Sequence, residues 1–436
     1  MITSDNRRHR RNQWIVLLFM SLLVFQNPLG GLLSYFSYID ELVVLIGASI
    51  GLHTIFFKQK CVLTKKQKQV CIPMLVFISV GLMGNILFRY QPIKCAIIDL
   101  YTNLKFFFAI ATGYYLFDII EDEKIKENVA WSGRCLVFIL LVIFIGDRIF
   151  NIYPAEIRYG IKSAVLFYGH PTYLAGTMAF FLVLFTVFFE KKNLPFIVMA
   201  LAMMSFTLRS KAMAGVALYV GMVLVFAVWK LKLKLWHVIL MGAVCAVIAW
   251  PQISYYFVEL GGTSARSVMM LTSFMIMRDH FPIGTGFGTY GSAEAAKNYS
   301  SVYMRYGLNL NFELRNINDV ENSLRLINKH EWMVKKLAEE PDFLYANSFL
   351  SDHFWPIIFG QTGLIGTIAF LVVMYWIIRY CMETEKLNVY AYIGVLYALL
   401  YLFLISIAET AFHSAIAVPL AIVIGTVLRE NDKEIN

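Results

Sequence analysis

The 436-residue chain is 59% hydrophobic and only 15% charged, against roughly half apolar and a quarter charged in soluble domains. Its net charge of +9 comes from basic residues at the ends of apolar runs, which is a topology signal and not a nucleic-acid footprint. The runs are continuous, which excludes barrel strands. The six cysteines, Cys61, Cys71, Cys95, Cys135, Cys245 and Cys381, form no CxxC pair, which argues against a disulfide framework or a zinc site.

Apolar runs of about 17 to 25 residues, each enough to cross a bilayer, recur along the chain. The first follows a basic tail and lacks a small-residue cleavage site, so it reads as a retained helix. The pattern predicts about twelve spans, near 14–34, 39–57, 69–88, 94–117, 130–148, 166–189, 194–208, 212–229, 236–255, 354–378, 389–408 and 411–428. Pro28 and the Gly30-Gly31 pair interrupt the first, and the seventh is short. Arg7, Arg8, Arg10 and Arg11 place the N-terminus in the cytoplasm. Lys58 to Lys68, Lys191 and Lys192, Lys230 to Lys234, Arg379 and the C-terminal tail then fall on the same side.

This parity puts one long polar segment, residues 255–344, outside the cytoplasmic membrane. Within it, 266–280 reads as a helix stopped by Pro282 and the glycines that follow. Residues 320–340 read as an amphipathic helix ended by Pro341. The expected fold is an all-α polytopic membrane protein with about twelve helices and one large, partly helical extracytoplasmic loop. Residues 1–254 form a first bundle of about nine helices, 255–344 the loop, and 345–436 the last three helices and a cytoplasmic tail.

Four groups of residues fall on the outer side. Arg209 and Lys211 lie in the short connection after span seven, as snorkelling end-caps or as a phosphate clamp. Arg266 begins the loop helix, with Arg278 and His280 at its far end. Twelve residues turn Arg266 and Arg278 about 120° apart, so a straight helix cannot aim both at one ligand. Asp352-His353 closes the loop and could handle a proton. Glu409 and His413 share one face of the last helix by their i,i+4 spacing, with His170 at the same level. Asp99 and Lys105 are ionisable groups at membrane depth, read as a structural pair or a cavity marker. The Gly284-Thr285-Gly286-Phe287-Gly288 run has no preceding strand and no GK[ST], so it reads as tight turns, not a nucleotide loop. No group has metal-ligand spacing, so neither metal nor cofactor is expected.

Together these features resemble the O-antigen polymerase and ligase superfamily of membrane glycosyltransferases. The resemblance rests on Arg209, Arg266, the turn Pro282 to Gly288, Asp352-His353, nine residues from Phe354 to Thr362, then Gly363 and Gly366. Tyr38-Ile39-Asp40-Glu41 at the start of span two is also similar to many members. Asp352 and His353 depart from the His-Asn or Asp-Asn pair of the family, and Ala346 to Leu350 offers a rival register too far from Gly363.

The resemblance implies a bacterial cytoplasmic-membrane polymerase with both termini in the cytoplasm. Its substrates would be oligosaccharide repeats on undecaprenyl pyrophosphate in the bilayer's outer leaflet, joined into O-antigen, capsule or exopolysaccharide with inversion. A partner that sets chain length is implied too. Arg209 and Arg266 would meet the leaving pyrophosphate, with Lys211, Arg278, His280, His170, Glu409 and His413 nearby, and Asp352 or His353 would accept the hydroxyl proton. A ligase moving finished polymer onto lipid A core or protein is the alternative within the family. A twelve-helix transporter or lipid flippase is the alternative from another class.

Overall fold

The structure is a computed structural model that describes residues 4–58, 64–119, 125–158, 160–230, 265–298, 300–306, 353–383 and 388–435, with isolated positions between 243 and 254. Nearly all of this is helix. In chain order the elements are α1 (Ser4–Val24), α2 (Gln26–Leu32), α3 (Ile39–His53), α4 (Lys65–Phe88), α5 (Ile93–Ile119), α6 (Ile125–Phe150), the two-residue strands β1 (Ile157–Arg158) and β2 (Ile161–Lys162), α7 (Pro171–Val187), α8 (Leu194–Ser205), α9 (Ser210–Met222), α10 (Ala265–Asp279), α11 (Ala293–Lys297), α12 (Ser301–Arg305), α13 (Phe354–Glu383), α14 (Val389–Ile405) and α15 (Ala417–Ile435). The strands form one antiparallel hairpin, with Ile157 opposite Lys162 and Arg158 opposite Ile161.

The membrane class stands, and the count of about twelve spans is not confirmed. Six helical segments among the described residues are long and apolar enough to cross a bilayer, seven if α1 and α2, bent by 72°, count as one. The bend falls before Pro28, which sits comfortably in the first turn of a new helix and not inside an old one. Two further apolar helices, α7 and α14, have 17 residues each. Sixteen of the 17 residues of α7 and 13 of the 17 of α14 are buried. A helix apolar all round is a buried helix as readily as a lipid-facing span, and these two form the centre of the bundle. The ninth expected span, 236–255, lies almost wholly outside the described residues.

Contacts sort the connections into two ends. At one end Lys66 meets Asp432 (3.2 Å), Lys126 meets Glu430 (2.7 Å), and Arg429 donates to the carbonyl of Tyr114 (3.0 Å). Arg134 and Asn193 (2.7 Å) and the stacked rings of Phe189 and Tyr390 join connections of the same set. These are the connections that the positive-inside pattern puts together. Small residues bring helices close: a Cβ on Gly113 of α5 would strike the carbonyl of Ile422 on α15, and one on Gly425 the carbonyl of Ile110.

The described part of the long polar segment, 265–298 and 300–306, packs against the bundle. α10 packs along α13, and Phe287 belongs to the main core. The turn 281–290 threads between α4, α5 and α13. The amides of Thr285 and Gly286 donate to the carbonyls of Gly360 (3.0 Å) and Gln361 (2.8 Å), and Ile365 N donates to Pro282 O (3.1 Å). Gly284 and Gly363 both have positive φ, +72° and +57°, and approach each other so closely that a Cβ on either would meet the other's amide nitrogen at 2.5 Å. Only glycine takes this conformation and this distance without strain. So the Pro-x-Gly-x-Gly turn and the first glycine of the Gly-x-x-Gly pair form one joint. The side chain of Asn85 closes it, bonding both the amide and the carbonyl of Phe287 at 2.8 Å. The expected helix over 320–340 lies outside the described residues.

Candidate functional site

The end opposite the Lys66–Asp432 pair gathers most of the ionisable side chains singled out in the sequence. Two helix N-termini converge there. α7 starts at Pro171 with His170 as its N-cap, whose Nδ1 accepts from the amide of Thr172 (3.3 Å). α9 starts at Ser210, with Arg209 in extended conformation before it. Each N-terminus carries a partial positive charge. Arg209 Nη2 is 3.5 Å from His170 Nε2, and Lys211 pairs with Glu409.

The β1–β2 hairpin adds two residues. It is rooted on α6, where Asp147 accepts from Lys162 Nζ (2.9 Å) and from the amide of Tyr153 (2.8 Å). It carries Glu156, which bonds Arg158 (2.9 Å) and lies 3.6 Å from Arg209. The hydrogen bond from Arg158, with Arg209 beside it, holds the Glu156 carboxyl below its ordinary range. Partial burial, with Arg209 and Lys211 nearby, pushes His170 below its ordinary value. Its ring is therefore neutral near pH 7, and because Nδ1 accepts, the proton is assigned to Nε2.

Glu409 and His413 do not share a helix face. The chain between α14 and α15 is broken, with Glu409 in a bend and His413 in a 3-10 turn over Ala411–His413. The break lets them diverge: Glu409 reaches Lys211, while His413 Nε2 meets Asn103 Oδ1 (3.2 Å). The break also receives the start of α13, because Phe354 N donates to the carbonyls of Ser406 (3.3 Å) and Glu409 (3.2 Å). His353, the residue before Phe354, is buried. Asp352 lies outside the described residues. Arg266 stands in the first turn of α10, and its side chain is also outside them.

Arg278 and His280 belong to a second group. Arg278 is 74% exposed and pairs with its neighbour Asp279 (2.9 Å). His280 is buried among Phe88, Tyr90 and Tyr306. Its Nδ1 donates to Ile276 O (3.2 Å), and Tyr90 Oη donates to Nε2 (3.0 Å). It fastens the chain after α10 to the α4–α5 turn.

Asp99 and Lys105 are not a pair. Asp99 accepts from the amide of Gly288 (2.9 Å) and from Asn103 (3.1 Å), so it supports the glycine turn. Lys105 instead bonds Asp40 (2.8 Å) and Glu41 (3.3 Å), with Gln26 also on Asp40. Six residues on α5 point these two side chains to different neighbours. Asp40 and Glu41 were visible only as part of the Tyr38 to Glu41 resemblance. Glu156 and Arg158 had no sequence signal at all, since Arg209, which Glu156 faces, lies beyond α7 and α8 in the chain.

No protein-family model matches the chain, and no curated protein matches it.

Proposed function

We propose that the chain is a membrane glycosyltransferase that polymerises oligosaccharide repeats carried on undecaprenyl pyrophosphate. The observation that carries this reading is the meeting of Arg209, Lys211 and His170 at two helix N-termini. Such an arrangement suits a phosphate-bearing ligand through charge, dipole and directed N–H donors. The fusion of the Gly284 turn with Gly363, joining the two halves of the motif pattern, adds support. By the positive-inside rule this end faces away from the cytoplasm, where the lipid-linked repeats await.

In the proposed step a hydroxyl oxygen of the acceptor sugar attacks the anomeric carbon of the donor. The bond from that carbon to the pyrophosphate oxygen breaks, its electron pair leaves with lipid pyrophosphate, and the anomeric centre inverts. Arg209 and Arg266 stabilise the charge that develops on the leaving group. Asp352 or His353 takes the hydroxyl proton. Glu409, whose side chain pairs with Lys211 and whose carbonyl accepts from Phe354 N, positions the cation relative to the base.

Replacing Arg209 with Ala should abolish polymer in cells at unchanged protein level, and Lys should restore it only in part, lacking the bidentate fork. Normal polymer from the Arg209→Ala protein would refute the clamp. The ligase alternative is separated by the envelope of a deletion strain. One repeat on the core marks a lost polymerase. A bare core with polymer still on the carrier marks a lost ligase.

A further inference from the structure

The cation group already holds an anion of its own. Glu156 Oε2 lies 2.9 Å from Nε and Nη2 of Arg158 and 3.6 Å from Nη2 of Arg209. Glu156 is 61% exposed, so its contact with Arg209 is a surface pair, weak and readily exchanged. The hairpin that carries it is held at its root by Asp147, so the carboxylate can leave Arg209 with the hairpin still anchored.

Two further observations point to an acceptor-rich ligand. His170 Nε2 and Arg209 Nη2 lie 3.5 Å apart, close enough for one oxygen to reach both when the ring proton is on Nε2, the tautomer that the Thr172 amide on Nδ1 selects. An anionic oxygen placed there accepts from both groups. The hydroxyl of Thr172, next to His170 in the first turn of α7, is buried and has no hydrogen-bond partner among the described residues. A single carboxylate has two oxygens, and Arg158 already engages one of them. A diphosphate offers more oxygens and more charge.

We propose that Glu156 is an internal counter-anion that a diphosphate displaces from Arg209 on binding, and that returns to Arg209 as the diphosphate product leaves. This rests on the reading of Arg209 as the pyrophosphate clamp. Its consequence is that the site binds its anion less tightly than its cations alone would allow. A ligand must wait for the fraction of molecules in which Glu156 has moved aside, and its apparent affinity falls by that fraction. For a polymerase that must release lipid pyrophosphate at every cycle, weaker product binding favours turnover, since product release is often the slow step. Among the described residues, Arg158, Arg209 and His170 face Glu156, while Glu409, the other carboxylate of the group, pairs with Lys211.

The test uses the full chain in detergent micelles, titrated calorimetrically with inorganic pyrophosphate. Glu156→Gln keeps the shape of an exposed side chain and removes only its charge. Pyrophosphate should bind this variant about three- to tenfold more tightly than the unmodified chain, and added salt should shrink the gain. In an Arg209→Ala background the same change should have no effect, because the carboxylate then has nothing to vacate. Equal or weaker binding by Glu156→Gln overturns the proposal, as does an equal gain without Arg209. Those results leave the clamp itself intact. No pyrophosphate binding by either the unmodified chain or Glu156→Gln overturns the anion site and the clamp together. A parallel titration with farnesyl pyrophosphate identifies the source of the diphosphate: tighter binding than inorganic pyrophosphate supports a lipid carrier as the displacing ligand.

Discussion

Asn85 is the side chain on which the glycine joint depends most directly. It is buried, and its amide bonds both the N–H and the C=O of Phe287 at 2.8 Å. Asn85→Ala would leave both backbone groups buried without these partners, at about 1–3 kcal/mol each. Alanine in the last turn of α4 returns at most about 0.7 kcal/mol of helix propensity. The net loss is roughly 1–5 kcal/mol, concentrated in the turn and not spread over the bundle. Cys95 is a local reporter. It is buried, and a Cβ on Gly288 would come within 2.8 Å of its carbonyl oxygen. In a chain whose only cysteine is Cys95, a thiol reagent under native conditions reacts as the turn opens. At about 1.4 kcal/mol per factor of ten, Asn85→Ala should speed that reaction at least about fivefold. A second chain with only Cys381, buried on α13, should show no such change. An unchanged rate at Cys95 would refute the assignment of Asn85 as the fastening of the turn.

Removing Lys105 should be far more damaging than removing it together with its partner. Lys105→Ala leaves Asp40 buried without its cation, at about 3–5 kcal/mol, whereas Asp40→Asn with Lys105→Met should recover folded protein; equal yields of the single and double variants in detergent would refute the pairing. For topology, cysteine at the exposed Asn298 should react with an impermeant reagent in intact cells and cysteine at Asn431 should not, in a chain lacking the native cysteines. Ser300 is a poor label site because it is buried, and the reverse labelling pattern would invert the orientation. His280, lowered from its ordinary 6.5 by burial and by Arg305, binds a proton less well in the fold than in the unfolded chain. The stability it contributes is full above about 6.5 and is lost as pH falls from there. Thermal unfolding should thus be less pH-dependent in His280→Gln between about 6.5 and 5, and identical pH profiles would contradict this; Asp279 beside it titrates lower still.

The helical membrane class and the grouping of connections into two ends were legible because hydropathy and lysine placement are local signals. Which apolar helices are buried and which face lipid was not. A buried helix such as α7 and a lipid-facing span have the same composition, and only the neighbours tell them apart. A break was expected only at 409–410, whereas α14 ends at Ile405 and α15 starts at Ala417, so Glu409 and His413, given one helix face, have two different partners. Arg209, Lys211 and His170 were legible as residues at one level, because short connections fix level. Their meeting with Glu156 was not, because it depends on how α6, α7, α8 and α9 pack. The Gly284 run was readable as a turn, but its fit against Gly363 requires two backbones in contact across 79 positions of chain.

The most direct measurement reconstitutes the full chain in liposomes with the lipid-linked repeat units of the cells that make it. The expected result is a ladder of glycans growing by one repeat, with undecaprenyl pyrophosphate released for each bond formed, and none of either from Arg209→Ala. Transfer of intact polymer to lipid A core without a ladder, or movement of the lipid-linked repeat across the bilayer with no new glycosidic bond, would contradict it.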